Sequence, residues 1–169
     1  MQELVIRKEQ SSWRIPSDRQ WSALLSQARR HILFPKHVVV TVGIVGDATM
    51  KRLNGMYRGK RKTTDVLSFN YTPITKQGVV TGQAPQPKQG VGTGRAKTKI
   101  QTNRLEGDII ICFPQARRQA RAIGNTISEE LFFLFVHGLL HLFGYDHEKS
   151  RAEERRMFAL QDLILGRKK

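Results

Sequence analysis

Hydrophobic and polar positions alternate with a period that changes along the chain, and each change marks an element. Leu4-Val5-Ile6 is a short β-prone run and predicts a first strand. Pro16-Ser17-Asp18 predicts a helix start with Ser17 or Asp18 as cap, and Trp21, Leu24, Leu25, Ala28 and Ile32 follow at helical spacing until Pro35. Arg19, Arg29 and Arg30 lie off that stripe, either for phosphate contact or as a solvated face. Val38 to Val45 is rich in β-branched residues and reads as a buried strand. Asp47 then caps a short helix with Met50 and Leu53 inward, and the stretch from Asn54 to Lys62 reads as a basic loop. Thr64 to Phe69 is another strand. Asp65 at its start is a turn-former or a carboxylate aimed at a site, and composition alone favours the turn.

From about Tyr71 to Glu106 periodicity stops, broken by Gly78, Gly82, Gly90, Gly92, Gly94, Pro73, Pro85 and Pro87. Lys76, Lys88, Arg95, Lys97, Lys99 and Arg104 make this stretch cationic, and no acid precedes Glu106. Regular pattern resumes with a strand at Gly107 to Cys112. Pro114 suits the first position of a helix carrying Arg117, Arg118 and Arg121 and ending at Gly124. Thr126 and Glu129 form a capping-box pair ahead of Leu131 to Leu142, apolar nearly all round and so a central buried helix. Ser150 with Glu153 repeats the box before a last helix along Met157, Leu160 and Ile164 to Gly166. The order predicts one α/β (α+β) domain over residues 1–169, with a mixed sheet of about four strands packed with about five helices. A flexible basic insert interrupts it at about 71–105. The pattern does not fix strand order.

Candidate chemistry concentrates at the end of the buried helix. Three of the chain's five histidines fall in His137-Gly-Leu-Leu-His141-Leu-Phe-Gly144-Tyr-Asp-His147. His137 and His141 share one helix face, with Cβ atoms about 6 Å apart, which suits two imidazoles reaching one metal ion. Gly144 ends the helix and lets the chain turn back with His147 as third ligand. Three ligands leave a tetrahedral ion one open position, the mark of a catalytic site. The spacing matches the protease pattern His-Glu-x-x-His-x-x-Gly-x-x-His except that Gly138 replaces the glutamate base. A zinc metalloprotease therefore keeps its metal cradle and loses its base.

Charge narrows the partner. A chain of 169 residues with net charge +15 and pI near 10.7 attracts polyanions, nucleic acid first and an anionic membrane second. No apolar stretch is long enough to span a bilayer, the start Met-Gln-Glu-Leu-Val-Ile-Arg has no leader pattern, and the single Cys112 suits a reducing compartment. The expectation is a cytoplasmic protein without membrane association.

The histidine segment resembles the signature of the YbeY family, metal-dependent endoribonucleases of ribosomal RNA maturation. Tyr57-Arg58-Gly59 followed by Thr64-Asp65-Val66-Leu67-Ser68-Phe69 is similar to its second block, and Gly107-Asp108-Ile109 to its third. The resemblance implies a single α/β domain, one Zn2+ held by His137, His141 and His147, and a functionally important arginine at Arg58. It also implies a role in maturing the 3′ end of small-subunit ribosomal RNA and in ribosome quality control, with ribosomal RNA, the small subunit and ribosomal proteins as partners. Thr63 and Asn70 stand where prolines usually flank the second block, and the insert is longer and more basic than is usual.

On this reading Arg58 offers a planar donor fork to phosphate, and Arg58, Lys60, Arg61, Lys62, Arg95, Lys97, Lys99 and Arg104 contact RNA. Asp146, beside His147, orients a ligand imidazole, accepts a proton or caps the turn; the sequence leaves these open. A non-catalytic RNA-binding assembly factor is the competing class, since a basic surface serves binding and cleavage alike.

Overall fold

The computed structural model describes residues 2–72 and 104–167, and the backbone of 74–75 and 78–79. Lys76, Lys88, Arg95, Lys97 and Lys99 of the expected insert lie outside the described residues.

The order is β1 (Gln2–Lys8), α1 (Asp18–Ala28), β2 (His37–Val45), α2 (Asp47–Arg58), β3 (Val66–Asn70), β4 (Ile74–Thr75), β5 (Gly78–Val79), β6 (Arg104–Cys112), α3 (Phe113–Ile123), α4 (Ile127–Leu142) and α5 (Arg151–Leu165). The main sheet has four strands in the order β1-β2-β6-β3, and β4 pairs only with β5. β1, β2 and β6 run parallel, whereas β3 runs antiparallel to β6. This is the mixed sheet with five helices that the periodicity predicts.

Strand alternation sorts the two faces. Val38, Val40, Val42 and Ile44 of β2 and Leu105, Ile109 and Ile111 of β6 are wholly buried on one face, against α4 and its neighbours. Each such side chain stabilises the fold by about 1.5–3 kcal/mol relative to exposure, as an upper bound. The other face carries a smaller core of Met50, Leu67 and Cys112, with Leu53, Phe69 and Ile110, where α2 packs. Its thiol is pushed up to about 12, chiefly by burial, so Cys112 is an inert core residue.

Several boundaries differ from the expectation: β3 begins at Val66 rather than Thr64, and the N-cap of α2 is Gly46, with Asp47 inside the first turn and paired with Arg118 at 2.7 Å. α1 ends at Ala28 rather than running on to Pro35, and Arg30 and His31 bond three residues back in tighter turns that still bury Ile32. β6 begins at Arg104, three residues before Gly107, because pairing with β2 extends to His37. α2 continues through Asn54-Gly55 to Arg58, with Gly59 at φ 69° as its left-handed cap. Asn54 is compatible with the helix because its buried amide donates to the Lys62 carbonyl at 2.7 Å. Arg58 therefore sits at the fixed end of a helix, not in a loop.

Candidate active site

α4 starts on the Thr126 capping box, whose hydroxyl accepts from the Glu129 backbone N–H. Its buried stripe presses it against the sheet. At Gly138 an added Cβ would lie 2.7 Å from Ile109 Cγ2 and 2.9 Å from Ser68 Oγ. Glycine is thus required by the approach of helix to sheet, and the position has no room for a glutamate. At the far end, Asn70 of β3 donates its side-chain amide to the Leu142 carbonyl at 2.7 Å, satisfying an open carbonyl of the last turn. A proline there would have no donor. Gly144, at φ 85°, then reverses the chain.

These constraints bring the three histidines together. Ring centroids lie 4.8 Å apart for His137 and His141, 5.0 Å for His137 and His147, and 5.2 Å for His141 and His147. Their nitrogens lie within 4.8 Å of one another, in the one cluster of metal-ligand type found among the described residues. The Nε2 atoms of His137 and His141 are 3.2 Å apart. Bonds of about 2.0–2.1 Å to a tetrahedral ion would set that separation at roughly 3.3 Å.

Protonation agrees with the spacing. Gln161, wholly buried on α5, has its amide oxygen 3.2 Å from His137 Nδ1. Its Nε2 is turned toward the Phe133 carbonyl, at 3.5 Å. His137 Nδ1–H therefore donates to Gln161, leaving Nε2 as a lone pair toward the cluster. Burial lowers the pKa of His137 and pushes that of His141 down to about 4, assisted by the neighbouring imidazoles. Both are neutral near pH 7, the state in which imidazole binds metal. His147 Nδ1 is buried without a hydrogen-bond partner among the described residues. The donor set fits a divalent ion of zinc type.

The triad forms one wall of a cleft of about 900 Å³, which β3 and the end of α2 complete. Arg58 lines it, half exposed, with its guanidinium 3.9 Å from Glu148. Asp146 also lines it. One carboxylate oxygen accepts from the Glu148 N–H at 3.0 Å and the other lies 3.6 Å from the Lys149 ammonium. The backbone bond, then Lys149 and the nearby histidines, hold Asp146 below its ordinary value, so it is ionised. Of the three roles open in the sequence, turn capping is the contact observed. Asp65 both turns the chain and reaches the cleft wall: one oxygen accepts from Val66 N–H at 2.9 Å, the other from Gln119 at 2.9 Å.

Lys60, Arg61 and Lys62 are exposed just past α2 and do not line the cleft. Arg104 is exposed at the start of β6 and pairs with Glu106, also away from the cleft. Sequence reasoning missed Gln161, Glu148 and Phe158. Gln161 carried a signal, a polar residue on the buried stripe of Met157 and Ile164; Phe158 is an aromatic just off that stripe.

A family profile described as Endoribonuclease YbeY matches residues 5–169. Endoribonuclease YbeY of Persephonella marina is 39% identical over 128 residues, 76% of this chain and 69% of that protein. The Geobacillus kaustophilus protein of that name is 38% identical over 144 residues, 85% of this chain and 81% of its own. That of Staphylococcus saprophyticus is 35% identical over 147 residues, 87% and 83%. The solution structure of TM1509 from Thermotoga maritima aligns with a TM-score of 0.50 over 96% of this chain and 89% of that one, at 22% identity. That likeness is one of fold.

Proposed function

The chain belongs to the YbeY family, and from that membership we propose that it is a single-strand-specific, metal-dependent endoribonuclease of ribosomal RNA processing. Its task is 3′-end maturation of small-subunit RNA and ribosome quality control. The observation that carries this reading is the convergence of three imidazoles with Arg58 in one cleft.

His137, His141 and His147 would hold one zinc ion per chain. Bound there, such an ion would supply Lewis acidity toward water or a phosphoryl oxygen. Arg58 directs its donor fork at the phosphate and meets the negative charge that grows on the equatorial oxygens. Its ion pair with Glu148 is exposed and therefore weak, so a phosphate displaces it readily. Asp146 holds the turn that carries His147, and its ionised carboxylate takes up the proton released at attack. Lys60, Arg61 and Lys62, with Arg95, Lys97, Lys99 and Arg104, guide the strand by its phosphates, without reading sequence. The small ribosomal subunit and its proteins are the setting in which that strand is met, and the cytoplasm is the compartment.

Elemental analysis and cleavage assays together test the proposal. Purified protein should carry about one zinc, and a variant with alanine at all three histidines should lose it and should not cut RNA. Full metal occupancy in that variant would overturn the ligand assignment. Product ends separate two routes: a 5′-phosphate means attack by water, a 2′,3′-cyclic phosphate attack by the RNA's own hydroxyl.

A further inference from the structure

Four aromatic rings line the cleft: Tyr57, Phe69, Phe133 and Phe158. Three are engaged by the protein itself. Tyr57 and Phe69 pack edge to face with centroids 4.8 Å apart, and the Arg167 guanidinium lies over Phe133 at 5.3 Å. Phe158 differs. It follows the buried Met157 on α5, lies off the Met157, Gln161, Ile164 stripe, and keeps 36% of its surface exposed. Its ring meets His137 and His147 at 6.2 and 5.9 Å between centroids. A single exposed apolar residue is ordinary on a protein surface. This one stands beside the metal-ligating cluster, in the cleft that also holds Arg58.

We propose that Phe158 is the stacking platform for one unpaired nucleobase of the substrate RNA, next to the phosphate handled by the histidines and Arg58. The inference rests on the endoribonuclease reading above and deepens it. A nucleotide has an anionic end and a flat apolar face, and the cleft sets a cation and an open aromatic ring around the same three imidazoles. Stacking on an aromatic ring tolerates every base, since each has a π-face. It does require a base free of its neighbours. A base inside a duplex keeps both faces covered, so the platform selects single strands without reading sequence. The competing role is a plain hydrophobic wall that keeps water from the imidazoles. The two differ in whether the effect of Phe158 depends on a substrate base.

The test uses the full metal-loaded chain, Phe158→Ala and Phe158→Tyr, and a short single-stranded oligoribonucleotide made abasic at each position in turn. Phe158→Ala should raise KM roughly five- to hundredfold, the range that alanine substitution gives for base–aromatic stacking, with kcat near the parent's. Phe158→Tyr should restore KM to within about twofold, since a second aromatic ring stacks as well. On the strand abasic at the stacked position, parent and Phe158→Ala should have the same KM. Metal content should match the parent's. A parental KM in Phe158→Ala, an equal loss on complete and all abasic strands, or metal lost together with activity would each overturn the platform. A parent that cuts RNA yet is indifferent to Phe158 refutes the platform alone. A parent that neither binds nor cuts RNA refutes the endoribonuclease reading, and the platform with it.

Discussion

The amide oxygen of Gln161 lies 3.2 Å from Nδ1 of His137, across 24 residues of chain, with Gln161 wholly buried. That contact fixes the tautomer in which His137 presents Nε2 to the cluster. Gln161→Leu removes the acceptor and leaves a buried N–H unpaired. Metal affinity should fall about 10- to 100-fold, the usual cost of losing such a supporting bond. Gln161→Glu, which keeps an acceptor oxygen, should stay within a few-fold of the parent. A competition titration against a chelating dye checks both, and an unchanged affinity in the leucine variant would contradict the assignment.

Gly138 faces Ile109 with no space for a methyl group. Gly138→Ala gains about 1 kcal/mol of helix propensity and meets overpacking of about 1–3 kcal/mol. Overpacking wins, because Ile109 is wholly buried on a central strand and has little freedom to move aside. A net loss of up to about 2 kcal/mol should lower Tm by up to about 8 °C in a domain of this size. Gly138→Glu should fare worse and gain no peptidase activity. A melting temperature at or above the parent's in Gly138→Ala would show that helix and sheet are less tightly apposed.

What could be read in the sequence was local. The two histidines at i and i+4, the glycine turn and the capping box all depend on residues within a turn or two of each other, and the structure brings the three histidine side chains together. The order β1-β2-β6-β3 depends on pairings between distant segments, which periodicity does not encode. The same limit hid Gln161, and it hid Asn70, whose amide caps a helix end 72 residues away. Asn54 to Lys62 reads as a loop in sequence because the bond that suits Asn54 to the helix, to the Lys62 carbonyl, lies beyond the helix.

Acidification should destabilise the metal-free protein through the histidines. His141 is pushed down to about 4 and His137 is lowered, both first by burial, whereas in the unfolded chain both return to about 6.5. Between those values the unfolded state binds protons that the folded state refuses. Stability is therefore complete above pH 6.5 and is lost as pH falls toward 4. Urea midpoints from pH 7.5 to 4.5 should decline over this window, and less steeply in His141→Asn. The difference between the two profiles isolates the imidazole, since the burial that raises Glu130 is common to both. Parallel profiles would remove His141 from the explanation.

Lys76, Lys88, Arg95, Lys97 and Lys99 add five positive charges between β3, which lines the cleft, and β6. If about three touch phosphate, replacing residues 75–103 by a short Gly-Ser linker should shallow the slope of log affinity against log salt by roughly two, at about 0.7 per contact on single strands. The weakening should be greatest at low salt, with metal content unchanged. An identical slope would mean that the segment meets no RNA. Normal binding to naked RNA with weakened binding to ribosomal particles would direct it to ribosomal protein.

The proposed site, three histidines and Arg58 in a cradle whose spacing is that of a protease, should cut RNA and spare polypeptide. The direct measurement incubates the purified chain with ribosomal RNA and, separately, with an unstructured casein-type polypeptide, each with and without chelator, beside His141→Ala. RNA cleavage should be abolished by chelator and absent in His141→Ala, with the polypeptide intact throughout. Chelator-sensitive digestion of the polypeptide, or RNA cleavage that persists undiminished in both chelator and His141→Ala, would contradict the proposed site.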